Sequence, residues 1–174
     1  MILCMTAAFP ITCTFSSPQA TAAFAARIAP LLRPGDTLLL DGEIGTGKTH
    51  FARAIIQTRL AAVGRTEDVP SPTYTLVQSY NDGVTDLLHA DLFRLTSPEE
   101  VFDLGLEDAF KDAVCMVEWP DRLDELRPDG AIHIRFETRD EPCVRVLTFS
   151  ATAQRWSQLL PLIESVITSD VAHV

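Results

Sequence analysis

The run Asp41-Gly42-Glu43-Ile44-Gly45-Thr46-Gly47-Lys48-Thr49 follows directly on the apolar stretch Thr37-Leu38-Leu39-Leu40. Its spacing is G-x-x-x-x-G-K-[ST], and a helical segment, His50 to about Val63, runs out of it. Strand before and helix after is the context in which this pattern binds phosphate. Gly42, Gly45 and Gly47 let the backbone curl around phosphate oxygens with its amides turned inward. The helix that follows adds its positive N-terminal end to the same place. Lys48 reaches the terminal phosphates as a point charge, and the Thr49 hydroxyl is placed to ligate Mg²⁺. Lysine is scarce here, since Lys111 is the only other one. The competing reading is a glycine-rich strand-to-helix turn with an incidental lysine. The chain reads as a binder of a nucleoside triphosphate.

Composition narrows the partners. A chain of 174 residues with 47% hydrophobic residues can build one domain with a sizeable core. A formal charge of −10 argues against a broad phosphate-tracking surface, because nucleic-acid binders cluster Lys and Arg. A role in nucleic-acid metabolism through a protein partner stays open. Cys4, Cys13, Cys115 and Cys143 have neither C-x-x-C spacing nor paired His ligands, so buried or incidental thiols are expected rather than disulfides or zinc. Met1 to Phe15 is apolar without a basic start, the first arginine being Arg27, and no apolar run is long enough to span a bilayer. A cytoplasmic protein is expected.

Strand and helix patterns alternate along the chain, which predicts an α/β fold. Ile11 to Phe15 reads as a strand, and Ser16 or Ser17 caps a helix from Pro18 to about Leu32. Pro34-Gly35-Asp36 breaks it and leads into the phosphate-loop strand, and Gly64 closes the helix after the loop. Tyr74 to Tyr80 and Leu87 to Asp91 read as a hairpin around Asn81-Asp82-Gly83. Ser97-Pro98-Glu99-Glu100 is a capping box for a short helix ending near Gly105. Val114 to Val117 is an apolar strand running into Glu118-Trp119-Pro120. Ala131 to Thr138 and Val144 to Ser150 alternate as a second hairpin, with Arg139 to Pro142 in its turn. Thr152 to Ile167 reads as an amphipathic helix bent at Pro161. The expectation is a single domain over residues 1–174: a mixed central sheet, helices on both faces and β-hairpin insertions, with residues 1–10 disordered.

Three further segments bear on chemistry. Val69-Pro70-Ser71-Pro72-Thr73-Tyr74-Thr75 is stiffened by two prolines, and its hydroxyls can approach a γ-phosphate or metal as switch loops do. It reads equally as a rigid loop into a strand. Asp91, in His89-Ala90-Asp91-Leu92-Phe93-Arg94, ends a strand, where it can meet Mg²⁺ or water; in isolation it reads as a cap or surface group. Glu118 follows an apolar strand, which is where a Walker-B carboxylate belongs, to hold the Mg²⁺ shell or orient the attacking water. The bland alternative is a solvated strand end beside a core Trp119.

Taken together, these segments resemble the TsaE family, the small ATPases of bacterial tRNA threonylcarbamoyladenosine biosynthesis. The resemblance rests on Gly42 to Thr49, then Ser71-Pro-Thr-Tyr-Thr-Leu76, His89-Ala-Asp-Leu-Phe-Arg94, Leu104-Gly-Leu106 and Val117-Glu-Trp-Pro120, in that order and spacing. It implies a P-loop ATPase working with two partner proteins, TsaD and TsaB. Those partners transfer a threonylcarbamoyl group to adenosine 37 of tRNAs reading ANN codons. The ATPase would act at their interface, slow alone, resetting the complex between turnovers and meeting tRNA only indirectly. By the same resemblance, ATP phosphates are held by Gly42, Glu43, Ile44, Gly45, Thr46, Gly47, Lys48, Thr49 and His50. Thr49 and Glu118 hold Mg²⁺, Asp91 positions water, and Ser71 and Thr73 sense the γ-phosphate. Trp119 would lie beside nucleotide or partner, and Arg139 near nucleotide.

The chain departs from the family pattern at three places. Thr46 stands where Ala is frequent, His50 where Thr is, and Phe93 where Tyr is. His50 and Phe93 each remove a hydroxyl. Two other classes stay open: a small-molecule or nucleotide kinase, whose lid would need Arg135, Arg139 and Arg145 although they fall in an alternating strand pattern, and a non-catalytic ATP switch. A GTPase with N-K-x-D base recognition is ruled out, because Asn81 is the only asparagine.

Overall fold

A computed structural model describes residues 9–171. The expectation about residues 1–10, and Cys4 with it, falls mostly outside that range. Seven strands form one sheet: β1 (Ile11–Phe15), β2 (Thr37–Asp41), β3 (Val77–Asn81), β4 (Asp86–Asp91), β5 (Val114–Glu118), β6 (Ile132–Thr138) and β7 (Arg145–Ser150). Their order across the sheet is β1-β7-β6-β2-β5-β4-β3. The middle is parallel: β2 lies between β5 and β6, and β4 runs parallel to β5. Both margins are antiparallel, with the β3–β4 and β6–β7 hairpins built into the sheet itself and β1 on β7.

Alternation along the strands sends side chains to two cores. Leu38, Leu40, Leu87, Val114 and Met116 face one side, where α1 (Pro18–Ile28), α2 (Lys48–Ala62) and α5 (Leu160–Val171) pack with Phe24, Ile28, Phe51, Ile55 and Ile163. Leu39, Ala90, Cys115 and Val117 face the other, under α3 (Pro98–Asp103) and α4 (Leu106–Asp112) with Val101 and Leu106. The expected mixed sheet covered on both faces is therefore what forms. Cys13 and Cys115 are buried and Cys143 is exposed; burial pushes the Cys115 thiol up to about 12, which leaves it chemically inert.

Several boundaries differ from expectation, each for a local reason. Ser17 is the cap of α1, its Oγ accepting from Ala20 N at 3.1 Å. α1 stops at Ile28 and tightens into a 3₁₀ turn over Ala29–Leu31, where Pro30 cannot supply an α-helical N–H. Residues 74–76 do not join β3: Leu76 takes a left-handed φ of 66° and its N–H bonds to Pro72 O at 2.7 Å, folding the segment into a turn. The capping box at Ser97 is present and α3 ends next to Gly105 as expected, but Gly105 (φ 68°) also starts a second short helix, α4, that was not expected. Pro120–Leu126 forms a 3₁₀ segment that was not expected. The helix expected over Thr152 to Ile167 divides into 3₁₀ turns over Gln154–Leu159 and then α5, which places Pro161 in the first turn of α5, where a missing N–H costs nothing.

One polar cluster ties the β3–β4 turn to the helices. Asp82 Oδ1 accepts the Val84 and Thr85 amides at 2.9 and 2.8 Å, and Oδ2 takes Arg59 Nε at 2.6 Å. Arg59 Nη1 also reaches the Ala29 and Leu32 carbonyls at 3.1 and 2.8 Å. Desolvation alone would raise the Asp82 carboxyl. The two amides and Arg59 outweigh it and hold the group below the usual carboxylate range. A depressed folded value means stability present at neutral pH and lost as pH falls through that value. Arg59→Ala is therefore expected to cost about 2–3 kcal/mol at neutral pH in denaturant titrations. The gap from wild type should narrow below pH of about 4, as Asp82 protonates.

Candidate nucleotide-binding site

Parallel pairing brings the ends of three strands to one level. Leu40 of β2 lies opposite Glu118 of β5, and Glu118 opposite Asp91 of β4. Residues 114, 116 and 118 share a sheet face, as do 87, 89 and 91, and in both strands it is the face that α2 covers. Glu118 and Asp91 consequently meet the first turn of α2, and both are buried.

The loop between β2 and α2 needs left-handed glycine. Gly42, Gly45 and Gly47 have φ of 140°, 80° and 108°. A Cβ on Gly42 would overlap the Phe136 carbonyl oxygen of β6, whereas one on Gly45 or Gly47 would meet open space. Gly47 caps α2, and the amides of the helix's first turn have no intrahelical acceptor. Thr46 Oγ1 bonds back to Glu43 O at 2.8 Å and so braces the loop.

Lys48 is buried at the start of α2. Its Nζ donates to Gly42 O at 2.6 Å and Glu43 O at 2.8 Å, and stands 4.4 Å from the centroid of the Trp119 ring. Burial lowers the Lys48 ammonium from its ordinary value, opposed by Glu118, Asp91, Asp41 and Glu43. Trp119, at a left-handed φ of 60°, packs against Phe93 with centroids 4.8 Å apart and the ring planes tilted by 45°. Thr49 Oγ1 donates to Glu118 Oε1 at 2.7 Å. Asp91 Oδ2 accepts from Thr73 Oγ1 at 2.9 Å, Ser71 and Thr73 hydroxyls lie 2.7 Å apart, and Asp91 Oδ1 accepts from Phe93 N at 3.0 Å.

These groups line one cleft of about 440 Å³, walled by Ile44, Gly45, Gly47, Lys48, Thr49, His50, Ser71, Thr73, Asp91, Glu118 and Trp119 among others. Gly42, Glu43 and Thr46 build the loop behind it. Arg139 is elsewhere: it is exposed in the β6–β7 turn and lines a separate depression with Thr14, Ser16 and Glu141. His50 turns its Nε2 to Pro18 O at 3.1 Å, so this departure from the family pattern joins α2 to the start of α1.

Three residues given no part in phosphate or metal binding on the sequence are part of this assembly. Arg53 lines the cleft one turn after Thr49 and donates to Val69 O at 2.6 Å. Arg145 reaches from β7 to the loop, its Nε on Thr46 O at 3.0 Å and its Nη2 on Gly45 O at 3.5 Å. His89 Nε2 lies 2.8 Å from Glu118 Oε1. The i, i+4 spacing from Thr49 to Arg53 and the period-two spacing from His89 to Asp91 are the only sequence signals that could have found two of them.

Among the described residues no group of three or more His, Cys, Asp or Glu side chains forms a protein-only metal cage. The oxygens of Thr49 and Glu118 lie together and could supply part of a donor set that phosphate oxygens and water complete. Sheet, glycine-rich loop, Lys48 and Thr49 at the helix start, and carboxylates on adjacent strand ends define a P-loop NTPase domain. The family model of "Threonylcarbamoyl adenosine biosynthesis protein TsaE" matches residues 15–146. The chain belongs to the TsaE family.

Relatives agree with that assignment. A tRNA threonylcarbamoyladenosine biosynthesis protein TsaE of Bacillus subtilis is 36% identical over 144 residues, 82% of this chain and 87% of the relative. Its counterpart from Rickettsia bellii is 36% identical over 126 residues, 72% and 85% of the two chains. The crystal structure of Bacillus subtilis YdiB superposes with a TM-score of 0.66 at 30% identity, covering 92% of this chain and 95% of that one.

The loop geometry separates two substitutions of one type. Gly42→Ala, strained and clashing with backbone, should cost about 3 kcal/mol. Gly45→Ala, with open space at its Cβ, should cost about 1 kcal/mol, the strain of its φ alone. Chemical denaturation of the two variants beside wild type checks the difference.

Proposed function

We propose that this protein binds and hydrolyses Mg²⁺-ATP in the cleft at the strand ends. It would be the ATPase subunit required for threonylcarbamoyl modification of adenosine 37 in tRNAs reading ANN codons. The observation that carries the reading is the convergence of Lys48, Thr49, Asp91 and Glu118 on a single cleft around a glycine-rich loop. The residues fit the ligand. Gly45 and Gly47 leave open space where side chains would stand, and the Lys48 ammonium donates to two loop carbonyls, which phosphate oxygens can replace.

In this reading Lys48 and the loop amides bind the β- and γ-phosphates, and Thr49 and Glu118 hold Mg²⁺, which neutralises the charge on those phosphates. Asp91, next to Glu118 at the strand ends, orients the attacking water and accepts its proton. Thr73 and Ser71 link Asp91 to the loop after Val69 by hydrogen bonds. The relatives' name supports the pathway. The −10 charge favours a protein surface over direct contact with tRNA. Ile44, Tyr74 and Phe93 are 72%, 85% and 41% exposed near the cleft, an apolar rim that a TsaD–TsaB partner complex would cover. Among the described residues no helix is long and apolar enough to cross a membrane.

ATP hydrolysis by the purified protein, alone and with TsaD and TsaB, tests this. The expected result is a slow basal rate that rises with the partners. Lys48→Ala should abolish nucleotide binding. Asp91→Asn should keep binding and lose turnover by roughly 10²–10⁴-fold. Unchanged turnover in Asp91→Asn would remove Asp91 from the chemistry. Tight ATP binding with no partner stimulation, despite complex formation, would overturn the reset-ATPase reading.

A further inference from the structure

His89 is completely buried, on β4 two residues before Asp91 and opposite Met116 of β5. Its Nε2 is 2.8 Å from Glu118 Oε1; a carboxylate that is to hold a cation only accepts, so in that state Nε2 is the donor. Its other ring nitrogen, Nδ1, is buried with no hydrogen-bond partner among the described residues. A buried imidazole with one unpaired nitrogen is a costly way to fill space that an apolar side chain would fill without that penalty. What the imidazole supplies there is the Nε2 bond.

That bond ends on an oxygen already engaged. Glu118 Oε1 also accepts from Thr49 Oγ1 at 2.7 Å. A hydroxyl has one proton, so committing it to Oε1 turns the Thr49 lone pairs elsewhere, and Thr49 lines the cleft. The terminal torsion of a glutamate is broad, so nothing intrinsic to Glu118 holds its carboxylate in one rotation. We infer that His89 is a positioning residue for divalent-cation binding. Through Glu118 Oε1 it fixes both the rotation of the carboxylate and the direction of the Thr49 lone pairs. The inference rests on the Mg²⁺-nucleotide reading of the cleft and adds the residue that sets its metal-binding geometry. Partners of this kind commonly change metal affinity by roughly 10–100-fold.

The test is binding, not turnover. Affinity for a fluorescent ATP analogue is measured with excess Mg²⁺ and again with EDTA, and the ratio gives the tightening due to the cation. His89→Leu fills the site but cannot donate; His89→Gln places an amide N–H where Nε2 stands. His89→Leu should lose about tenfold or more of the Mg²⁺ tightening while keeping the EDTA affinity, and His89→Gln should recover most of it. In a Glu118→Gln background, His89→Leu should change the ratio no further. If His89→Leu does not fold, His89→Asn, too short to reach Oε1, takes its place. Full Mg²⁺ tightening in the Leu or Asn variant, or equal losses with and without Mg²⁺, would overturn the inference. Absence of any Mg²⁺ tightening in wild type would instead overturn the underlying reading of the cleft.

Discussion

Everything in the site depends on the register of three parallel strands. Because Leu40, Glu118 and Asp91 are aligned across β2, β5 and β4, the carboxylates end level with the loop that leaves β2. A one-residue slip of β5 would send Glu118 to the other face of the sheet, under α3 and α4, away from Thr49. The register is held by the cores themselves: Val114 and Met116 belong in one, Cys115 and Val117 in the other. Packing far from the cleft thus fixes which carboxylates face it.

The buried charges are arranged to be tolerable before any ligand is considered. Isolated, a buried ammonium such as Lys48 would cost several kcal/mol. Two loop carbonyls, the Trp119 ring and four neighbouring carboxylates offset that cost. Glu118 and Asp91 each accept at least two hydrogen bonds, from Thr49 and His89 and from Thr73 and the Phe93 amide. Arg145 fastens the loop to β7, so the phosphate loop is tied to β6 by the Gly42–Phe136 approach and to β7 by a guanidinium. The loop is braced from two strands, and the cleft beside it is lined by charged and hydroxyl side chains.

Much of this was legible in the sequence because it is local. The glycine-rich strand-to-helix loop, the Ser97 capping box, the two hairpins and the acidic strand ends are written in contiguous residues and formed as expected. What was not legible is tertiary. Tyr74 to Leu76 has strand-like residue types, yet the bond from Asp91 N to Leu76 O at 2.9 Å and the Thr73–Asp91 contact pull the segment into a turn. Leu106 to Asp112 is too short for helical periodicity to emerge and is helical because Leu106 is buried under the sheet. Arg145 acts across 99 residues of sequence on Thr46 O, a separation that no spacing rule reaches. Arg139, expected near nucleotide, sits in the β6–β7 turn at a different depression.

The most direct measurement is a crystal structure of the protein with Mg²⁺ and a non-hydrolysable ATP analogue. The account predicts the triphosphate cradled by residues 42–49, with Lys48 Nζ transferred from the Gly42 and Glu43 carbonyls to phosphate oxygens. Mg²⁺ should lie at Thr49 and Glu118, and Asp91 should face the γ-phosphate. A nucleotide bound elsewhere on the sheet, or bound here with Lys48 still on the two carbonyls, would contradict it.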